Sequence, residues 1–175
     1  FNATLYLDEE FVWYEPLELK SVSFRGQNEE ITMSRGSRKI AVIGAGNVGA
    51  TCAFVLSNMK IADIVLLDIY EGFAKGKALD MSQNANVLNY NGTITGTSSY
   101  EDIAGSDVVV VTSGFPRQPG MTREDLIGKN AEIIAQVGAG IRDHAPDAVV
   151  IVVTNPLDLM TCLLYTSPSP RDKHR

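Results

Sequence analysis

Two hydrophobic periods alternate through the middle of the chain. Residues 39–43, 63–68, 93–97, 107–113 and 148–154 form short apolar runs bounded by polar or glycine positions, and they predict β-strands. Between them, apolar residues recur at helical spacing. Val48, Cys52, Val55, Leu56 and Met59 form one stripe; Ala74, Ala78, Met81, Ala85 and Leu88 form a second; Leu126, Ile127, Ile133, Ile134, Val137 and Ile141 form a third. The runs "DVVVVTS" and "AVVIVVT" are apolar without alternation, the pattern expected of strands covered on both faces. Strands alternating with helices in this way predict an α/β fold, a doubly wound parallel sheet with right-handed crossovers.

Both ends depart from that pattern. Residues 1–32 sustain neither period and hold the only tryptophan, after which Met33 opens "MSRGSRKIAVIGAG" in the manner of a natural start. They are therefore expected to be a non-native or disordered leader, with residues 33–161 as the sheet domain. At the other end, "CLLYTSPSPRD" (residues 162–172) is what one frame of a transposase sequencing adapter encodes. Residues 162–175 are accordingly expected to be an adapter-encoded tail, in which Cys162 and His174 carry no function.

Candidate chemistry gathers at the strand ends. "KIAVIGAGNVGA" puts Gly44, Gly46 and Gly49 in a GxGxxG between a strand and a helix. Gly44 permits the tight turn, Gly46 lets a pyrophosphate approach the backbone, and Gly49 lets helix and sheet pack closely. Such a motif alone is a weak signal. Here Asp68 ends the second strand about 20 residues further on, where a carboxylate can accept hydrogen bonds from a ribose 2′-OH and repel a 2′-phosphate. The pair points to a Rossmann-type site for NAD in preference to NADP. No GK[ST] follows the glycines, which excludes a P-loop. Ser113 with Gly114, and Thr154 with Asn155, also fall at the carboxyl ends of expected strands, the ligand-binding edge of an open α/β sheet. Asn155 precedes Pro156 and is expected to be extended, with a bond that is a candidate for cis.

Composition narrows the partner. A net charge of −6 offers no basic patch for nucleic acid or an anionic membrane, so a small molecule is the better expectation. No apolar run reaches membrane-spanning length and no secretory leader is visible. The two cysteines form no CxxC pair, which fits a reducing cytoplasm without a disulfide framework or metal site.

The stretches "RKIAVIGAGNVGA", "DIVLLDIYEGFAKGKALDM", "TGTSSYEDIAGSDVVVVTSG", "PRQPGMTREDLIGKN" and "VVIVVTNPLD" resemble, in order and spacing, the amino-terminal half of the malate and lactate dehydrogenase family. The likeness is closest to the lactate-dehydrogenase-like malate dehydrogenases of bacteria. It implies an oxidoreductase of the tricarboxylic acid cycle, in which Gly44, Ala45, Gly46, Asn47, Val48, Gly49, Asp68, Asn130, Val153, Thr154 and Asn155 line the NAD site. It also implies that Arg117, Arg123 and Asn155 contact a small dicarboxylic 2-hydroxy or 2-oxo acid, and that the full-length protein is a homo-oligomer. In malate enzymes the position of Arg117 meets the second carboxylate, whereas lactate enzymes carry glutamine there. The segment "GFPRQPGMTR" is then expected to close as a lid, with a capped helix starting near Arg123 because Thr122 precedes Asp125 by three.

The family's catalytic histidine, its partner aspartate and a third arginine have no counterpart in this chain. His144, in "RDHAPD", suits an exposed capping role, and His174 belongs to the suspect tail. No catalytic residue is assigned, and the 175-residue chain, read as truncated before the catalytic domain, is expected to be inactive. A lactate dehydrogenase and a non-catalytic NAD-binding module are the alternatives.

Overall fold

The computed structural model describes residues 38–88 and 91–166. The expected leader, most of the expected tail and His174 lie outside them. Five strands form one sheet: β1 (Lys39–Ile43), β2 (Asp63–Leu67), β3 (Ile94–Thr97), β4 (Val108–Val111) and β5 (Val149–Val152). Their order is β3-β2-β1-β4-β5 and every pair is parallel. The connections are α1 (Asn47–Met59), α2 (Glu71–Leu88), a single 3₁₀ turn (Tyr100–Ile103) and α3 (Arg123–His144), with α4 (Leu157–Thr166) following β5. After β3 the chain returns across the sheet to place β4 beside β1. That reversal opens a crevice beyond the carboxyl ends of β1 and β4.

The alternating pleat sorts the strand residues into two cores. Ala41, Ile43, Val65, Leu67, Val109 and Val111 pack with Ile134, Val137 and Ile141 of α3 and Met160 of α4, while Ile40, Val42, Ile64, Leu66 and Val110 pack with Ala50 and Ala53 of α1 and Ala74 and Met81 of α2. Burying each large aliphatic side chain contributes about 1.5–3 kcal/mol.

The second and third helical stripes face inward where they are described: Ala74, Ala78, Met81, Ile134, Val137 and Ile141 are buried, and Leu126, Ile127 and Ile133 are half-buried. The side chains of Ala85 and Leu88 lie outside the described ones. The first stripe faces the other way. In α1 the buried residues are Gly49, Ala50, Ala53 and Ser57, whereas Val48 is 60% exposed and Val55 and Met59 are also outside. The cause is close approach: a Cβ on Gly49 would collide with the carbonyl oxygen of Gly44, so the helix lies on β1 by its small residues.

The reading of β5 as covered on both faces also fails. Val149 is 64% and Ile151 49% exposed, because β5 is the sheet edge and only its Val150 and Val152 face joins the core. The 3₁₀ turn and α4 carried no sequence expectation. Helix α4 crosses Thr161 without interruption, Leu163 and Leu164 packing against the core, since apolar spacing makes a helix whatever its origin. No described helix is long and apolar enough to cross a membrane.

Candidate functional site

At the end of β1, Gly44 turns the chain with φ +104°, and a Cβ there would lie 2.7 Å from the backbone nitrogen of Ser113. Only glycine fits this close approach of two strand ends. The next residue, Ala45, is fully buried and its N–H donates to Asp68 Oδ2 at 2.7 Å. It shapes the loop from within. Asp68 Oδ1 accepts from the Tyr70 N–H at 3.0 Å, so the carboxylate braces two turns at once. Gly46, Asn47 and Val48 are exposed where α1 begins, and Gly46 as N-cap offers no side-chain oxygen to the first-turn N–H groups. A Cβ on Gly46 would meet nothing within 4 Å. This open, donor-rich end is the cradle an anionic diphosphate needs.

Across the crevice, three segments meet around Asn130, which is 2% exposed. Its Oδ1 accepts from the Phe115 N–H at 2.6 Å and its Nδ2 donates to the Asn155 carbonyl at 2.7 Å. Thr154 is buried, its hydroxyl donating to the Ser113 carbonyl at 2.7 Å. Val153 and Asn155 are exposed, and the Asn155–Pro156 bond is cis. The Ser113 hydroxyl is buried with no hydrogen-bond partner among the described residues.

The arginine segment starts from this knot. Residues 118–121 form a turn closed by the Met121 N–H on the Gln118 carbonyl at 3.1 Å, with Pro119 second and Gly120 third at φ +87°, the requirements of a type II turn. Arg117 is exposed, its guanidinium within 3.5 Å of the Met121 carbonyl. Arg123, also exposed, is the first residue of α3. Thr122 caps that helix as expected, its Oγ accepting from the Asp125 N–H while the Asp125 carboxylate accepts from the Thr122 N–H, a complete capping box. Hydrogen bonds from Thr122 hold the Asp125 carboxyl below its ordinary value.

His144 departs from its expected exposed role. It is half-buried at the far end of α3, its ring stacked on Tyr100 with centroids 6.5 Å apart. At 1.5 Å per residue it stands about 30 Å along the helix from Arg123, too far to share its chemistry. Sequence reading missed Phe115 and Lys129, whose ammonium lies 4.5 Å from the Phe115 ring centroid. A loop aromatic and a helical lysine 14 positions apart give no local signal.

Residues 38–175 match the family described as lactate/malate dehydrogenase, NAD binding domain. The chain belongs to this family. A malate dehydrogenase of Desulforudis audaxviator is 51% identical over 137 residues, covering 78% of this chain and 44% of that protein. The apo malate dehydrogenase of Picrophilus torridus superposes with a TM-score of 0.73 at 44% identity, covering 75% of this chain and 42% of the other. A Cryptosporidium parvum lactate dehydrogenase, solved with lactic acid and nicotinamide adenine dinucleotide, reaches 0.72 at 40% identity, covering 79% and 44%. The chain thus spans less than half the length of these relatives. Members of the family with either substrate share this sheet, so fold alone does not separate malate from lactate enzymes.

Proposed function

We propose that the chain is the NAD-binding part of a malate dehydrogenase, a cytoplasmic homo-oligomeric enzyme that interconverts malate and oxaloacetate. The observation that carries this reading is an arginine at position 117, two residues beyond a fixed loop root, with Arg123 at the start of α3. The open cradle at Gly46, Asn47 and Val48 suits the pyrophosphate, Asp68 the adenosine ribose, and Val153 with Asn155 the nicotinamide end. The bound nicotinamide supplies hydride acceptance and donation.

The residues of this chain do the rest of the binding. Arg117 pairs with the second carboxylate of the substrate through two parallel hydrogen bonds, and closure of the loop strengthens the pair by excluding water. Arg123 polarises the carbonyl that accepts hydride, a contact that tightens as the oxygen gains charge. Asn155 helps orient the substrate. Closing over pyruvate would leave Arg117 buried without a partner, and that penalty discriminates against monocarboxylic acids. Proton exchange with the hydroxyl needs a group near neutral pKa, which His144 cannot supply from the far end of α3. The 175-residue chain alone should therefore show no turnover.

In the complete enzyme, Arg117→Gln should lower kcat/KM for oxaloacetate by about 10³-fold, the cost of truncating one partner of a buried charge pair, and raise it for pyruvate. An unchanged oxaloacetate-to-pyruvate ratio in steady-state kinetics would refute the malate reading. The lactate alternative shares the fold, but glutamine at this position is what it requires.

A further inference from the structure

We infer that Asn130 is a positioning residue that latches the root of the arginine loop to the turn after β5, and is not itself a cofactor contact. Its amide faces inward and is engaged at both ends by backbone from two different segments, Phe115 and Asn155. A buried amide is tolerated only when so satisfied. Two further straps hold the same root. The Thr154 hydroxyl grips the Ser113 carbonyl, and Lys129 lies over the Phe115 ring. Gly114 completes the knot, for a Cβ there would lie 2.7 Å from Thr154 Cγ2 and 3.5 Å from Asn130 Oδ1.

Residues 113–115 are therefore fixed, while Pro116, Arg117, Gln118, Pro119 and Gly120 are exposed and carry no strap of this kind. The pivot of the loop lies between Phe115 and Pro116. Arg117 is two residues beyond it, so the latch fixes the guanidinium's range of travel to within about 7 Å of backbone reach. The task also explains the residue type. The Phe115 N–H needs an acceptor and the Asn155 carbonyl needs a donor, which an asparagine supplies from one side chain. An ionised aspartate supplies only the acceptor and leucine supplies neither.

The activity arm of the test rests on the malate dehydrogenase reading; the exchange arm does not. In the full-length protein, Asn130→Leu should accelerate hydrogen exchange of the Phe115 amide and lower oxaloacetate kcat/KM by about 10- to 100-fold, the range for orphaning buried hydrogen-bond partners. The NADH dissociation constant, from fluorescence titration, should stay within about threefold, since the cradle and Asp68 are untouched. Asn130→Asp should be impaired at neutral pH and recover as the pH falls, because protonating the introduced carboxyl restores a donor toward Asn155, a recovery absent from the parent enzyme. Lys129→Gln, a change at an exposed side chain, should keep the fold and move Phe115 exchange in the same direction by less. The proposal is overturned if NADH binding weakens tenfold or more while Phe115 exchange is unchanged, or if no variant alters that exchange. Loss of oxaloacetate turnover in the parent enzyme, with Phe115 exchange responding as described, would count against the malate reading and in favour of the latch.

Discussion

At the scale of single residues, Asp68 has two connections that pull its interpretation apart. It stands where a ribose would be read, and its carboxylate also receives the Ala45 N–H, so it holds the glycine loop in shape. Removing it loses both roles. In the complete enzyme, Asp68→Ala should weaken NADH binding by about 1.5–3 kcal/mol, the range for hydrogen bonds to a charged group, and should relax the preference for NAD over NADP. Cofactor titration with steady-state comparison of the two cofactors would check this, and an unchanged preference would mean that another residue reads the ribose. Asp68 was legible because glycine spacing, strand and acid agree locally. The inward N–H of Ala45 was not, since its direction follows from the turn at Gly44 and no side chain marks it. Arg123 carries a different cost. A cation at a helix N-terminus opposes the macrodipole by about 0.3–1 kcal/mol, and Glu124 and Asp125 beside it offset that. Arg123→Gln should therefore leave the melting temperature unchanged or slightly higher while depressing kcat for oxaloacetate and pyruvate alike. A lowered melting temperature would recast the arginine as structural.

Among the elements, α3 was read almost completely from its sequence, because a capping box and a long apolar stripe are both local signals. Its start also titrates. The Asp125 carboxyl is lowered chiefly by its hydrogen bonds from Thr122, so the folded form holds its proton less tightly than the unfolded chain does. The contribution is then fully present above the ordinary carboxylate value and is lost as the pH falls through the lowered one. Exchange of the first-turn amides of α3 should rise across that acidic window, and Thr122→Ala should abolish the dependence at a cost of about 1 kcal/mol, typical of a lost N-cap. If the parent and Thr122→Ala proteins frayed identically with pH, the box would not be what holds the helix start. Helix α1 shows where such legibility stops. Its period was correct but its inward face was not, because the rule that large apolar residues face inward gives way when a turn forces the helix against the sheet. Gly49, Ala50 and Ala53 carried that information, and only the approach of the Gly44 carbonyl shows why.

For the whole molecule, the order of the strands decides which apolar residues are covered. Helix α1 packs on β1 and β2, and α2 on β2 and β3. On that same face of the sheet, Val149 and Ile151 of β5, paired with Val108 and Val110, are left open. Unalternating valine and isoleucine runs predict parallel strands correctly but do not reveal what lies over each face, since that depends on elements distant in the chain. An edge strand with an exposed β-branched face is a template for association. The 175-residue chain should therefore aggregate at concentrations where a protein without that stripe stays monodisperse. Replacing Val149 and Ile151 together by threonine keeps the β-branched shape while removing apolar surface. It should raise the soluble, monodisperse fraction in light scattering, and because both side chains are already exposed, stability should change by no more than about 0.5 kcal/mol at each site. A large fall in the denaturation midpoint would mean that these two residues are packed in solution. Unchanged aggregation would move the adhesive surface to the exposed side of α1, where Val48, Val55 and Met59 offer the next apolar stripe.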